Sequence, residues 1–492
     1  MDQKITLTKS TFLRGLQCQK SLALSARHPE LRMPPTTPAQ FRMRQGQLVG
    51  MLARRRYPGG EIGRLPGAFQ VSLERTQALI DSGNPVIYEA AFEAAGVRVV
   101  ADILAQGQNG WRLIEVKSTT RAKPEHLWDV AVQVYVLRAA GMELEDACLL
   151  HLDTGYVRKG LLDVQALFAE TPFMGELETL QTQVEQAIAE CQATLASGEV
   201  PQVPIGRHCT EPVDCDFMDH CWQDVPSPSV FDVYFIGKKA YALYDQGIEL
   251  IEDIPADHPL DKRSLFHIQA HKKGELIVKP DPIRTFLSGL SYPLHYLDFE
   301  TLAVPIPPFD GVSPYTKVPF QYSLHVQDEP GGELRHSGYL AQAGEDPRRD
   351  FLGQLLEETS GEGSIVVYHQ PFESSVLKSL ASWLPANRGE IEQRLKRMAD
   401  LLEPFRQRAY WHPGMGGSNS LKAVLPVFAQ DLSYDEIAIS DGESAMVEFW
   451  GLQDEDDLDR VQATRRALWE YCQLDTLAMV RILDGLRGLV GM

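Results

Sequence analysis

The chain has 492 residues, 44% hydrophobic and 23% charged, an ordinary globular composition too long for one core, so two to four domains are expected. No apolar run is long enough to span a bilayer and no signal-peptide pattern opens the chain; a soluble cytoplasmic protein with no membrane partner is expected. A net charge of −20 argues against a surface coated for non-specific nucleic-acid binding, and leaves only local basic stretches: Arg54–Arg56, His271–Lys273, Arg348–Arg349 and Arg465–Arg466.

Residues 8–26 read as one capped helix, with Ser10 or Thr11 as cap, Phe12, Leu16 and Leu22 as the apolar stripe and Cys18 in its middle. A Pro-rich turn over 33–38 precedes a helix predicted over 39–56. Residues 86–93 and 97–104 alternate as strands, and Gln106–Gly110 turns into a returning strand over 111–118. Asp102 lies on the outgoing strand. Glu115 and Lys117 lie on the returning one, where a period of two puts them on one face. A helix over 124–140 carries Gln133, and a strand over 147–152 follows.

Asp102…Glu115-Val116-Lys117 on a meander, followed by a helix bearing Gln133, resembles the PD-(D/E)xK nuclease superfamily. The resemblance implies that Asp102 and Glu115 bind Mg²⁺ or Mn²⁺, that Lys117 orients or activates the attacking water, and that Gln133 completes the motif. Two positions depart from it. The helical Gly-x3-His ligand becomes Gly46-x3-Gly50, and Gln-x3-Tyr becomes Gln133-x3-Leu137, with the tyrosine at Tyr135.

A long helix over 172–197 and an extended linker over 200–206 lead to Cys209, Cys215 and Cys221. Cys148, Cys191 and Cys472 sit in apolar or helical patterns and read as core residues. A large chain without a secretion signal is not expected to rely on disulfides, so the Cys209–Cys221 group is a metal or cluster candidate. With Cys18 it offers four thiolates, which suit [4Fe–4S] or Zn²⁺. One cysteine before the nuclease core and three after it resembles the RecB-like iron–sulfur nucleases. The resemblance implies a [4Fe–4S] cluster on Cys18, Cys209, Cys215 and Cys221, acting as a structural staple, with Zn²⁺ as the alternative.

Residues 223–290 form a connector of two short helices around a glycine turn, similar to a helix–hairpin–helix unit that could grip phosphates, with Lys238, Lys239, Lys272 and Lys273 nearby. Beyond it, Leu297–Thr301 reads as a strand with Asp298 and Glu300 on one face. Two such carboxylates call for a hard divalent cation with oxygen ligands. Strands over 318–326 and 364–368 flank a helix over 347–358, and His369 to Glu373 occupy a strand-to-helix turn. Gly416 to Lys422 opens a helix. A final helix over 456–487 places Tyr471 and Asp475 at i and i+4 on one face.

Asp298-x-Glu300, His369-x3-Glu373 and Tyr471-x3-Asp475, in that order, resemble the three motifs of DEDD exonucleases of the ribonuclease H-like fold, with Asn-x3-Asp replaced in the second. The resemblance implies four carboxylates holding two metal ions, Tyr471 orienting or activating the water, and cleavage from the 3′ end. Glu373 is the expected second-motif ligand. Asp400 competes for that role, or caps a helix.

The expected architecture is α/β: a PD-(D/E)xK restriction-endonuclease-like domain with a four-Cys cluster over 1–225, a helical connector over 226–290, and a ribonuclease H-like domain over 291–492. The whole chain resembles a prokaryotic family that pairs a RecB-like half with a ribonuclease H-like half. The expected function is a two-metal-ion phosphodiesterase, a 3′–5′ exonuclease on single-stranded DNA in repair, end processing or defence. The alternatives are a ribonuclease, or a nucleic-acid-binding protein whose N-terminal site is inactive.

Overall fold

The computed structural model describes residues 6–435 and 437–492. It divides into two compact units, Met1–Asp224 with Val304–Tyr315, and Val225–Ala303 with Thr316–Met492. Each is a mixed α/β structure.

In the first unit, strands Val86–Ala94, Val97–Gln106 and Trp111–Val116 form an antiparallel meander. Ala95 and Gly96, both at positive φ (52° and 72°), make the first turn. The chain crosses through helix Pro124–Ala139 to strand Leu144–Leu152, which pairs in parallel with Trp111–Val116. That crossover helix is buried nearly all round, because it lies in one apolar cluster with the sheet and with helix Met174–Ala196. Residues 304–315, read from the sequence as part of the C-terminal domain, pack in this first unit. The Arg158 guanidinium donates to the carbonyls of Pro307 and Pro308 at 2.9 and 2.7 Å.

The helix predicted over 8–26 is two helices, Lys9–Gln17 and Gln19–Arg27, separated by Cys18 in an extended conformation. Thr8 caps the first helix in a capping box with Thr11, and the Cys18 thiol caps the second by accepting from Ser21 N at 3.4 Å. Phe12 and Leu22 are buried as the stripe requires, but Leu16 is exposed. Apolar spacing survives a one-residue break, so periodicity could not reveal it.

In the second unit a five-stranded sheet runs in the order Leu334–Leu340, Val318–Gln327, Leu294–Leu302, Ile365–Val367, Met398–Asp400. The first three strands are antiparallel and the last two join in parallel. Strand Leu334–Leu340 and helix Gly442–Gly451 carry no strong sequence pattern and are found only in the structure. The last helix, Leu458–Val490, lies against the two central antiparallel strands. Between residues 225 and 290, helix Lys239–Tyr244 and the single turn Ile251–Asp253 surround a small core of Val230, Val233, Leu243, Ile251, Ile254 and Ile268. No described helix is long and apolar enough to cross a membrane.

Candidate metal centre

Strand Leu294–Leu302 is central in its sheet, so its period of two carries Asp298 and Glu300 to the same face. Their cross-strand partners on Val318–Gln327 are Ser323 and Gln321. Those two residues anchor the last helix. Gln321 Nε2 donates to Leu468 O at 2.8 Å, and Ser323 Oγ meets Thr476 Oγ1 at 2.7 Å. His325 Nδ1 meets the same Thr476 hydroxyl at 2.8 Å. These buried bonds set the rotation and height of the helix on the sheet, and so set Asp475, next to Thr476, against the strand carboxylates.

The result is a carboxylate trio. Asp298, Glu300 and Asp475 each present an oxygen, and the three lie within 4.8 Å of one another, the one such group of three among the described residues. Burial, and then the charge of Asp475, pushes Glu300 up to about 8. Burial raises Asp475 to about 6 against the hydrogen bond it accepts from Tyr434, and drives Asp298 well above the usual carboxylate range. Three acids crowded in low dielectric resist ionisation until a cation joins them.

Glu373 sits in the first turn of helix Gln370–Trp383, 1% exposed. Its charge acts on both Asp298 and Glu300, its own pKa is raised to about 8 by burial, and its buried Oε2 makes no hydrogen bond among the described residues. Glu373 lies outside the 4.8 Å trio, and its buried Oε2 is an unpartnered acceptor that electrostatics couples to Asp298 and Glu300. The preceding His369 is bent into the left-handed region (φ 78°), and its N–H donates to Asp400 Oδ1 at 3.0 Å. Asp400 also accepts from Leu402 N and faces Arg406. It braces the turn that presents Glu373 and does not join the trio.

Tyr471, 5% exposed, lies one helical turn before Asp475. Two further residues complete the site. Tyr434 donates its hydroxyl to Asp475 Oδ1, and Lys422 Nζ lies 5.0 and 5.1 Å from the ring centroids of Tyr434 and Tyr471. The Lys422 charge pulls down both Glu300 and Asp475. Both tyrosines are pushed far above their usual range by burial and then by Asp475, so they hold their protons at neutral pH. Neither Tyr434 nor Lys422 sits in a spaced motif; Lys422 showed only as the end of a helix-opening stretch. Helix Gly442–Gly451 starts beside Glu300, where a Cβ on Gly442 would lie 3.2 Å from Glu300 Oε2.

The first unit brings Asp102, Glu115, Lys117 and Gln133 together as the motif predicts, but with two partners that spacing did not show. Glu115, 1% exposed, accepts from Lys117 Nζ at 2.6 Å and from Lys9 Nζ at 2.8 Å on Oε1, and from Gln133 Nε2 at 2.8 Å on Oε2. Lys9 and Lys117 also pair with Asp129, at 3.0 and 2.5 Å respectively. Against the cost of burial, the two ammonium groups hold Glu115 below the usual carboxylate range. Asp102 accepts from Val116 N at 2.8 Å, and burial followed by repulsion from Glu115 raises it to about 7. Gly50 lies on helix Thr37–Arg54 with open space around its Cβ position and supplies no ligand. Both oxygens of Glu115 are engaged, Oε1 by two ammonium groups and Oε2 by Gln133, so a divalent cation here would compete with Lys9 and Lys117.

Cys18, Cys209, Cys215 and Cys221 line one small pocket, walled by Val203, Pro204, Ile205, Phe217 and Trp222. Cys209 and Cys215 act electrostatically on both Cys18 and Cys221. The loop is tied to the N-terminal helices independently. Arg14 makes a two-pronged pair with Asp216 (2.6 and 2.8 Å), and Gln17 donates to the carbonyls of His208 and Val213 at 2.7 Å each. The four thiols, soft donors of the kind that hold a cluster or Zn²⁺, share this pocket, but no three of their sulfurs lie within 4.8 Å of one another.

Residues 295–420 match a family described as a domain of unknown function, DUF2779. The matched span holds Asp298, Glu300, Glu373 and Asp400 and ends before Lys422, Tyr434, Tyr471 and Asp475. The chain is also similar to the "Uncharacterized protein MG366 homolog" of Mycoplasma pneumoniae, with 26% identity over 212 residues, 38% of this chain and 31% of that protein. Neither description states an activity.

Proposed function

We propose that the second unit is a ribonuclease H-like, DEDD-type nuclease domain that hydrolyses single-stranded DNA from the 3′ end. The observation that carries the reading is the trio of Asp298, Glu300 and Asp475 within 4.8 Å, with the orphaned Glu373 oxygen completing four carboxylates. These four residues would hold Mg²⁺ or Mn²⁺, which supplies charge neutralisation at the phosphodiester and a water acidic enough to attack. Tyr471 and Tyr434 keep their protons, so they orient rather than deprotonate: both hydroxyls act on Asp475, and Tyr471, one turn before it, would also direct the water. Lys422, held over both rings and donating to Ser440 O, supplies a fixed positive charge for the phosphate. The first unit, in this reading, is a PD-(D/E)xK-like scaffold stapled by a [4Fe–4S] cluster on Cys18, Cys209, Cys215 and Cys221, with Zn²⁺ as the alternative.

The test is degradation of end-labelled oligonucleotides with added Mg²⁺ or Mn²⁺, comparing single- and double-stranded DNA and RNA. The expected result is shortening of single-stranded DNA from the 3′ end, abolished by Asp298→Ala with Glu300→Ala. Shortening of RNA alone would move the substrate to the ribonuclease reading. Binding without shortening would replace the nuclease with a nucleic-acid-binding protein.

A further inference from the structure

The centre built around Glu115 carries its own cations. Glu115 and Asp129 contribute two negative charges, and Lys9 and Lys117 contribute two positive ones at 2.5–3.0 Å. Lys9 is the first residue of helix Lys9–Gln17, just after the Thr8 cap, so its backbone is fixed where its side chain must reach inward. Its side chain is only 20% exposed, and Glu115 and Asp129 are 1% and 7% exposed. The two ammonium groups balance Glu115 and Asp129, so a divalent ion entering here would meet Asp102 as the one carboxylate not already matched by a lysine. It would have to displace an ammonium group from Glu115 Oε1, and the only other oxygen of that carboxylate is committed to Gln133. Displacing Lys9 from Glu115 would break a largely buried ion pair, which costs more than breaking an exposed one.

We infer that the Lys9 ammonium occupies the divalent-cation position of the Asp102–Glu115 centre, so that this centre is a metal-free ionic lock joining the N-terminal helix to the strand Trp111–Val116 and the helix Pro124–Ala139. The inference goes beyond the nuclease reading of the second unit and does not depend on it. Lys117, which the motif assigns to water activation, is half of the lock. The lock also explains why Gly50 needs no histidine: with Lys9 in place there is no ion for a further ligand to hold.

The test uses the full chain with Asp298→Ala and Asp475→Ala, which removes the carboxylate trio, and follows Mn²⁺ by electron paramagnetic resonance. The expected result is no Mn²⁺ bound in that background. Adding Lys9→Met, which keeps length and removes charge, is expected to create one site at least ~10-fold tighter than any in the parent, and Glu115→Gln is expected to abolish it again. Mn²⁺ bound by the parent and lost on Glu115→Gln overturns the inference, as does a folded Lys9→Met chain that gains no site. A second measurement leaves the lock intact, so it decides the matter even where Lys9→Met does not fold. Acetylation of Lys9, followed by mass spectrometry, is expected to be slow beside that of exposed lysines and unchanged by Mn²⁺. A several-fold Mn²⁺-dependent rise in Lys9 labelling would show the ammonium giving way to metal and would overturn the inference.

Discussion

Tyr434 holds Asp475 by one hydroxyl, and that contact predicts a graded series of losses. If the second unit is the proposed nuclease, Asp475→Asn and Tyr471→Phe should each cost about 100-fold or more in kcat on single-stranded DNA, because one would remove a ligand charge and the other the hydroxyl that directs the water. Tyr434→Phe should cost only about 10-fold, and should shift the pH–rate profile by freeing Asp475 from the hydrogen bond that keeps it lower; an unshifted profile would leave Tyr434 a packing residue. The same carboxylates set a pH dependence of stability. Glu300 and Glu373 rise to about 8 in the fold, whereas unfolded carboxylates titrate near ~4. The folded state therefore binds more protons than the unfolded one. Their contribution to stability is complete below pH ~4 and is lost as pH rises toward about 8. A divalent cation competes with those protons, so Mn²⁺ should raise Tm more at pH 8 than at pH 5. Equal shifts at both would argue against the carboxylates as its ligands.

Among the elements, the last helix matters most for the site, because it carries Asp475 and is seated by polar bonds rather than by apolar contact alone. Thr476 is 0% exposed and serves both Ser323 and His325. Thr476→Val should cost about 1–3 kcal/mol in urea unfolding, since it removes the hydroxyl that His325 Nδ1 meets while Ser323 keeps only His336, and should lower activity without touching a ligand. In the first unit, the break at Cys18 turns a predicted helix into two and places a thiol in the four-cysteine pocket. Cys18→Ser should reduce bound iron and the absorbance near ~400 nm expected of a thiolate-held cluster. The chain should remain folded, because Arg14–Asp216 still ties the loop to the helix. A colourless, zinc-loaded wild-type preparation would favour Zn²⁺ in the pocket instead. The basic stretches read from the sequence are largely spent inside the fold: Arg54 pairs with Glu89, Arg56 with Glu170, Arg348 with Asp346, and Arg465 bonds the carbonyls of Leu340 and Ala341.

Over the whole molecule, the two carboxylate centres behave oppositely. One gathers acids and leaves an oxygen orphaned, while the other balances its acids with lysines. Lys117→Ala should therefore leave degradation of single-stranded DNA unchanged and lower the Tm, whereas Asp298→Ala should abolish degradation. A Lys117→Ala chain that folds normally and loses cleavage would return catalysis to the first unit.

Asp298-x-Glu300, Glu115-x-Lys117 and Tyr471-x3-Asp475 were legible in the sequence because strand and helix periods decide which side chains share a face, and those periods are local. Most strand and helix positions were legible for the same reason. Tyr434, Lys422, Lys9 and Asp129 were not, because each reaches its centre through a contact across 12 to 122 residues of chain that no spacing encodes. Nor could spacing separate Glu373 from Asp400. In the structure Asp400 accepts from the His369 N–H, while the Glu373 Oε2 has no hydrogen-bond partner among the described residues. Sequence alone determined which faces carry acids. Only the tertiary structure decided which acids meet other acids and which meet lysines, and charge balance in a buried site is a property of all the elements that close around it.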